Sequence, residues 1–222
     1  MSHPLPVYLE IGSKRVFAGA LDWPGWSRSG RDEGSALDAL LAYRQRYATV
    51  VARAGLPFPD AVPEFEIVER LTGNATTDFG APGVPPAADH SALTGTELQR
   101  QIDLLVACWG TLDEVVTHTR TAGTALRTGP RGGGRDLAKI ESHVLEAEQA
   151  YLRGLGARSP RTGGAAAQRE AALAALSARA LGLAVENPSG VQRPWSPRYF
   201  VRRAAWHVLD HAWEVEDRSE LP

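Results

Sequence analysis

The sequence predicts an α+β protein in which a small β-β-α(-β) domain precedes an antiparallel four-helix bundle. Three observations carry this expectation. Two short apolar stretches near the start are separated by turn residues, apolar positions then recur at helical spacing through one segment and later through four longer ones, and a Gly/Pro-rich stretch divides the two regions. A chain of 222 residues suits one mid-sized unit beside a smaller one. The expected division is residues 1–72, a linker over 73–91, and the helical unit over 92–222.

Residues 7–21 read as two strands, VYLEIG and RVFAGAL, with Gly12, Ser13 and Lys14 supplying hairpin-turn chemistry. After the turn-rich DWPGWSRSG, Ala36, Leu37, Leu40, Leu41, Tyr43, Tyr47, Val50 and Val51 mark one amphipathic helix, with Asp32 as N-cap and Gly55 as stop. A further strand is expected over residues 65–71. The stretch from Thr72 to Ser91 has neither periodicity and reads as a linker, with Phe79 and Val84 as its anchors on a neighbouring surface.

Four helices follow. Thr94 with Glu97 forms a capping-box pattern ahead of the stripe Leu98, Ile102, Leu105, Trp109, Leu112 and Val116. A loop holding Arg120, Arg127, Arg131 and Arg135 leads to a second helix through Leu137, Ile140, Val144, Ala147, Tyr151 and Leu155, which stops near Gly156. An Ala-rich third helix over residues 165–185 is expected to turn Leu173, Leu176, Ala180 and Leu183 inward. Ser196 caps the fourth, with Pro197 in its first turn, and that helix runs to about Arg218.

Composition narrows the function classes. Hydrophobic residues at 43% and charged residues at 23% describe an ordinary globular chain, and a net charge of -2 offers no general attraction for nucleic acid. Cys108 is the single cysteine, which excludes an internal disulfide and a cysteine-rich zinc site and assigns it to the core. The opening residues lack a signal-peptide pattern and nowhere do 18 uncharged apolar residues run together, so the expected location is cytoplasmic, with no membrane partner.

The chemistry centres on histidine. His207 and His211 stand four residues apart, so on one helix their side-chain roots are about 5 to 6 Å apart on the same face. They lie on the line Phe200, Ala204, His207, His211, which faces the core, and two imidazoles there need partners. His143, beside Ile140 and Ala147 on the inward stripe of the second helix, can supply a third ligand to a shared ion. The ordinary alternative is a pair of hydrogen-bonded histidines. His3, His90 and His118 fall outside this pattern, and Glu214 is positioned either as an acceptor behind His211 or as a solvated residue.

Two family resemblances add to this reading. Asp22, Pro24, Gly25, Gly30, Glu33 and Ala36 resemble the N-terminal domain of HicB-like proteins, which implies a β-β-α module and a protein partner, or reuse as an accessory or dimerisation domain. The segments IESHVLEAEQAYLRGLG and AWHVLDHAWEVEDRS resemble the matching helices of the DinB-like superfamily over residues 92–219. That resemblance implies one divalent metal ion, zinc, nickel or iron, on His143, His207 and His211, and often a dimer. It also implies transfer of a low-molecular-weight thiol to a small-molecule electrophile. A composition rich in Ala, Arg and Gly, with lysine only at positions 14 and 139, favours mycothiol over bacillithiol. The competing expectation is a non-catalytic binding or regulatory protein whose bundle keeps a structural metal.

Overall fold

The computed structural model describes residues 4–128 and 134–219, so His3 and Arg131 lie outside the described residues. Helices and one sheet make up a mixed α and β architecture. The strands are β1 (Leu5–Ile11), β2 (Val16–Ala20), β3 (Ser27–Gly30) and β4 (Phe65–Thr72), in the order β3-β2-β1-β4. β1 runs antiparallel to β2 and parallel to β4. The expected hairpin is present, closed by the Gly12 N–H donating to the Arg15 carbonyl at 2.9 Å.

The DWPG segment forms a tight turn in which the Trp26 N–H donates to the Trp23 carbonyl at 3.0 Å. Pro24 presets the second position, and Gly25 takes φ +96° at the third, a conformation that glycine adopts without steric cost. Trp23 and Trp26 both lie in the core. Trp26 stacks on Tyr47 at 5.5 Å and donates its indole N–H to the Leu40 carbonyl, while Trp23 packs edge-on against Phe58.

Two features of this region depart from expectation. β3 carries the sequence SRSG, which has no apolar alternation and reads as turn, yet it pairs with β2 through the backbone. Its Arg28 is buried, stacked 3.8 Å from the Tyr43 ring centroid. The single helix expected over residues 36–51 is two, α1 (Glu33–Ala42) and α2 (Arg44–Arg53), divided at Tyr43 with φ -88° and ψ 1°. The break lets Tyr43 sit between Arg28 and Trp213, 5.0 Å from the latter ring.

The stretch from 73 to 91 contains α3 (Ala75–Phe79) and a 3-10 turn (Ala87–His90). Phe79 is exposed and anchors nothing. The anchors are polar: the buried Glu10 carboxylate of β1 accepts from the Thr77 hydroxyl at 2.5 Å, the Gly83 N–H at 2.9 Å and the Val84 N–H at 3.1 Å.

The remaining helices are α4 (Gly95–Thr121), α5 (Leu137–Leu155), α6 (Gly164–Ala180) and α7 (Pro197–Ser219). Thr94 and Glu97 form the expected capping box, Asp136 caps α5, and Gly156 ends it with φ 109°. α6 stops at Ala180, short of the expected 185, and Leu183 is exposed rather than inward. Its buried face is Gln168, Ala172, Ala175 and Leu176, and it packs against α5. α7 packs against α4, α5, α6 and the 3-10 turn, and it is buried on nearly every side. Ala204, Ala205 and Ala212 let neighbours approach it, and residues from β1 through α7 share one continuous apolar cluster. Among the described residues no helix is long and apolar enough to cross a membrane.

Candidate metal centre

His143 projects from α5, and His207 and His211 from successive turns of α7. The helical rise of 1.5 Å per residue places the latter pair about 6 Å apart along one face. The three rings meet, with centroids 5.1 Å apart for His143 and His207, 5.0 Å for His143 and His211, and 4.6 Å for His207 and His211. One nitrogen from each lies within 4.8 Å of the others. His207 and His211 are buried and His143 is half-buried.

The nearest nitrogens, Nε2 of His143 and Nε2 of His207, are 3.3 Å apart. Two imidazole nitrogens each about 2.0 to 2.1 Å from one ion stand roughly 2.9 to 3.4 Å apart at octahedral to tetrahedral angles. The observed spacing therefore fits a shared ion as well as it fits a long N–H···N hydrogen bond. His211 points Nδ1 away from the others, 2.8 Å from Glu214 Oε2, which leaves its Nε2 for the cluster.

Behind the histidines lies a polar relay. Arg218 donates to Glu214 Oε1 at 2.8 Å, to the Arg127 carbonyl at 2.6 Å and to the Arg135 carbonyl at 2.7 Å. The hydrogen bond to His211, with a smaller contribution from the Arg218 hydrogen bond, holds the Glu214 carboxyl down at about 2. Glu214 is thus an ionised acceptor behind His211 rather than a solvated residue. His207 lacks such support, because its Nδ1 is buried with no hydrogen-bond partner among the described residues.

Burial favours the neutral form of His143 and His207. Burial, then the neighbouring His211, Arg203 and His143, push His207 well below the ordinary histidine value. Burial, then His211 and Arg135, also lower His143. Neutral imidazoles present the lone pairs that metal coordination needs.

Among the described residues the other histidines, Cys108 and the loop arginines stand apart from the cluster. His90 and His118 are exposed and outside the cluster. Cys108 is fully buried, and burial raises its thiol well above the usual range, so it packs as a small apolar group. Of the loop arginines, Arg120 pairs with Glu141 and Arg127 donates to the Asp217 carbonyl. Sequence reasoning missed Arg218, whose role requires knowing that two loop carbonyls return to it. It also missed Tyr151 as a site neighbour, although its ring meets His207 edge-on at 5.6 Å.

Comparison with family models, with curated proteins and with solved structures finds no match to this chain.

Proposed function

We propose that the chain is a metal-dependent enzyme of the DinB-like type, in which α4 to α7 act as a four-helix bundle around a three-histidine centre. The carrying observation is the convergence of His143, His207 and His211 from two helices, with Glu214 oriented behind His211. His143, His207 and His211 hold one divalent ion, zinc, nickel or iron. When bound, such an ion supplies a Lewis-acid centre that favours the deprotonated form of a thiol or water.

The chain's own residues prepare that chemistry. Glu214 fixes the His211 tautomer with the proton on Nδ1, and Arg218 holds Glu214 ionised. Tyr151 and Trp206 flank His207 and screen it from bulk water. Three protein ligands leave coordination positions open, which distinguishes a reactive centre from a closed structural one. The reading is transfer of a low-molecular-weight thiol of the mycothiol kind to a small electrophile, with a HicB-like N-terminal module packed on the helical unit.

The test is elemental analysis of untagged wild type and His211→Ala. Near-stoichiometric divalent metal in wild type and its loss in the variant are expected. Wild type that carries none and cannot be loaded overturns the reading in favour of a non-catalytic binding protein.

A further inference from the structure

A cavity of about 680 Å³ opens between α5, the end of α6, the 73–91 segment and the first turn of α7. Tyr151, Arg179, Trp195, Tyr199 and Arg203 form its working wall. Trp195 packs against Tyr151 at 5.6 Å and edge-on against Tyr199 at 4.8 Å, which makes one side aromatic. Tyr151 belongs to both sites, since its ring also meets His207. Arg203 precedes His207 by one helical turn, its guanidinium 5.2 Å from the Tyr151 centroid.

The two arginines are the unusual feature. Arg203 Nη1 and Arg179 Nε are each buried without a hydrogen-bond partner, and neither residue has an ion pair among the described residues. Elsewhere in the fold sequestered arginines are matched: Arg28 with Asp210, Arg202 with Asp89, Arg218 with Glu214. Among the described residues no Asp or Glu lines this cavity. Guanidinium groups that line a cavity and have no carboxylate of their own favour an incoming anion. The fork of a guanidinium matches the two oxygens of a carboxylate, and the aromatic wall suits a flat apolar body attached to it.

We propose that this cavity binds an organic carboxylate, with Arg203 and Arg179 taking the carboxylate and Trp195 and Tyr199 holding its apolar body. The position next to His207 makes it the seat of the electrophilic substrate. That assignment as substrate rests on the metal reading, whereas the affinity for a carboxylate does not.

Isothermal titration of the full chain with benzoate tests it, alongside benzamide, inorganic phosphate and the variants Arg203→Gln, Arg179→Gln and His207→Ala. Saturable one-to-one benzoate binding is expected, weakened about tenfold or more in each arginine variant, as for a lost hydrogen bond to a charged group. In wild type, benzamide should bind at least about tenfold more weakly than benzoate by the same reasoning, a comparison that does not depend on any variant folding. His207→Ala should lose metal but keep benzoate, which separates failure of the metal centre from failure of this site. Absence of saturable binding, benzamide as good as benzoate, arginine variants that bind normally, or phosphate binding as tightly as benzoate overturns the proposal.

Discussion

Arg202 closes a bidentate ion pair on Asp89, with Nε 2.9 Å from Oδ2 and Nη2 2.8 Å from Oδ1. Asp89 is wholly buried, and the same guanidinium donates to the carbonyls of Ala20 and Leu21 at 2.9 and 3.0 Å. One side chain of α7 thereby ties the 3-10 turn to the end of β2. Removing one partner of a buried pair strands the other charge, which typically costs about 3 to 5 kcal/mol. Asp89→Ala is expected to lose stability in that range in urea denaturation. A loss under about 1 kcal/mol, the level of a surface pair, would show that the pair is dispensable.

Glu148 predicts a pH dependence. Both carboxyl oxygens are buried without a hydrogen-bond partner among the described residues, and Arg169 Nε is 3.6 Å away. Burial, only partly opposed by Arg169, pushes the carboxyl up from 4.5 to about 7. Between those values the folded chain binds this proton and the unfolded chain does not, so folding stability from this group falls as pH rises through the window. The shift corresponds to about 3 kcal/mol in all, taking about 1.4 kcal/mol per unit. His143 and His207, whose values are lowered, act in the opposite sense below their ordinary 6.5. The difference between wild type and Glu148→Gln cancels them. Denaturation at pH 5 and pH 8 should show wild type losing more stability on the alkaline step than the variant; equal changes would disprove a raised carboxyl.

Which parts were legible in the sequence follows from where the information lies. The hairpin, β4 and the cap at Thr94 depend on neighbours in the chain, and periodicity or capping chemistry reports them. His207 and His211 were legible for the same reason, being four apart on an inward line. β3 was not, because its pairing comes from β2 while its own residues have turn character. The 73–91 stretch read as a linker because its anchors are Glu10 and Arg202, far away in sequence. Buried arginines are the recurring blind spot. In the one-dimensional text Arg28, Arg202 and Arg218 look like any solvated arginine, and only the fold shows which carboxylates reach them.

Glu214 should govern metal affinity without touching the metal. Its hydrogen bond to His211 Nδ1 fixes the tautomer that frees Nε2, and changes to such supporting carboxylates typically cost about 10- to 100-fold in affinity. Glu214→Gln retains an acceptor but loses the charge, so a tenfold weakening of zinc binding is expected in competition with a chromophoric chelator. Unchanged affinity would mean that His211 is positioned by packing alone.

The turn that precedes β3 sets the last test. Gly25 and Gly55 both have positive φ, +96° and +68°. A left-handed conformation costs a residue with a side chain about 1 to 2 kcal/mol, so alanine at either position should destabilise by that much. Their surroundings differ. A Cβ at Gly55 meets nothing within 4 Å, whereas one at Gly25 falls 2.9 Å from Leu209 Cδ1 and 3.2 Å from Ala205 Cβ. Leu209 can swing its methyl aside, but Ala205 cannot move without α7, and overpacking of this kind costs about 1 to 3 kcal/mol more. Gly25→Ala should therefore lose stability beyond Gly55→Ala by about that increment in parallel denaturation. Because Leu209 lies between His207 and His211, any shift of α7 that relieves the contact should also weaken metal retention in Gly25→Ala and leave it intact in Gly55→Ala. Equal losses of stability in the two variants would place the cost in backbone conformation alone and remove the close approach of the turn to α7 as a constraint on the histidine pair.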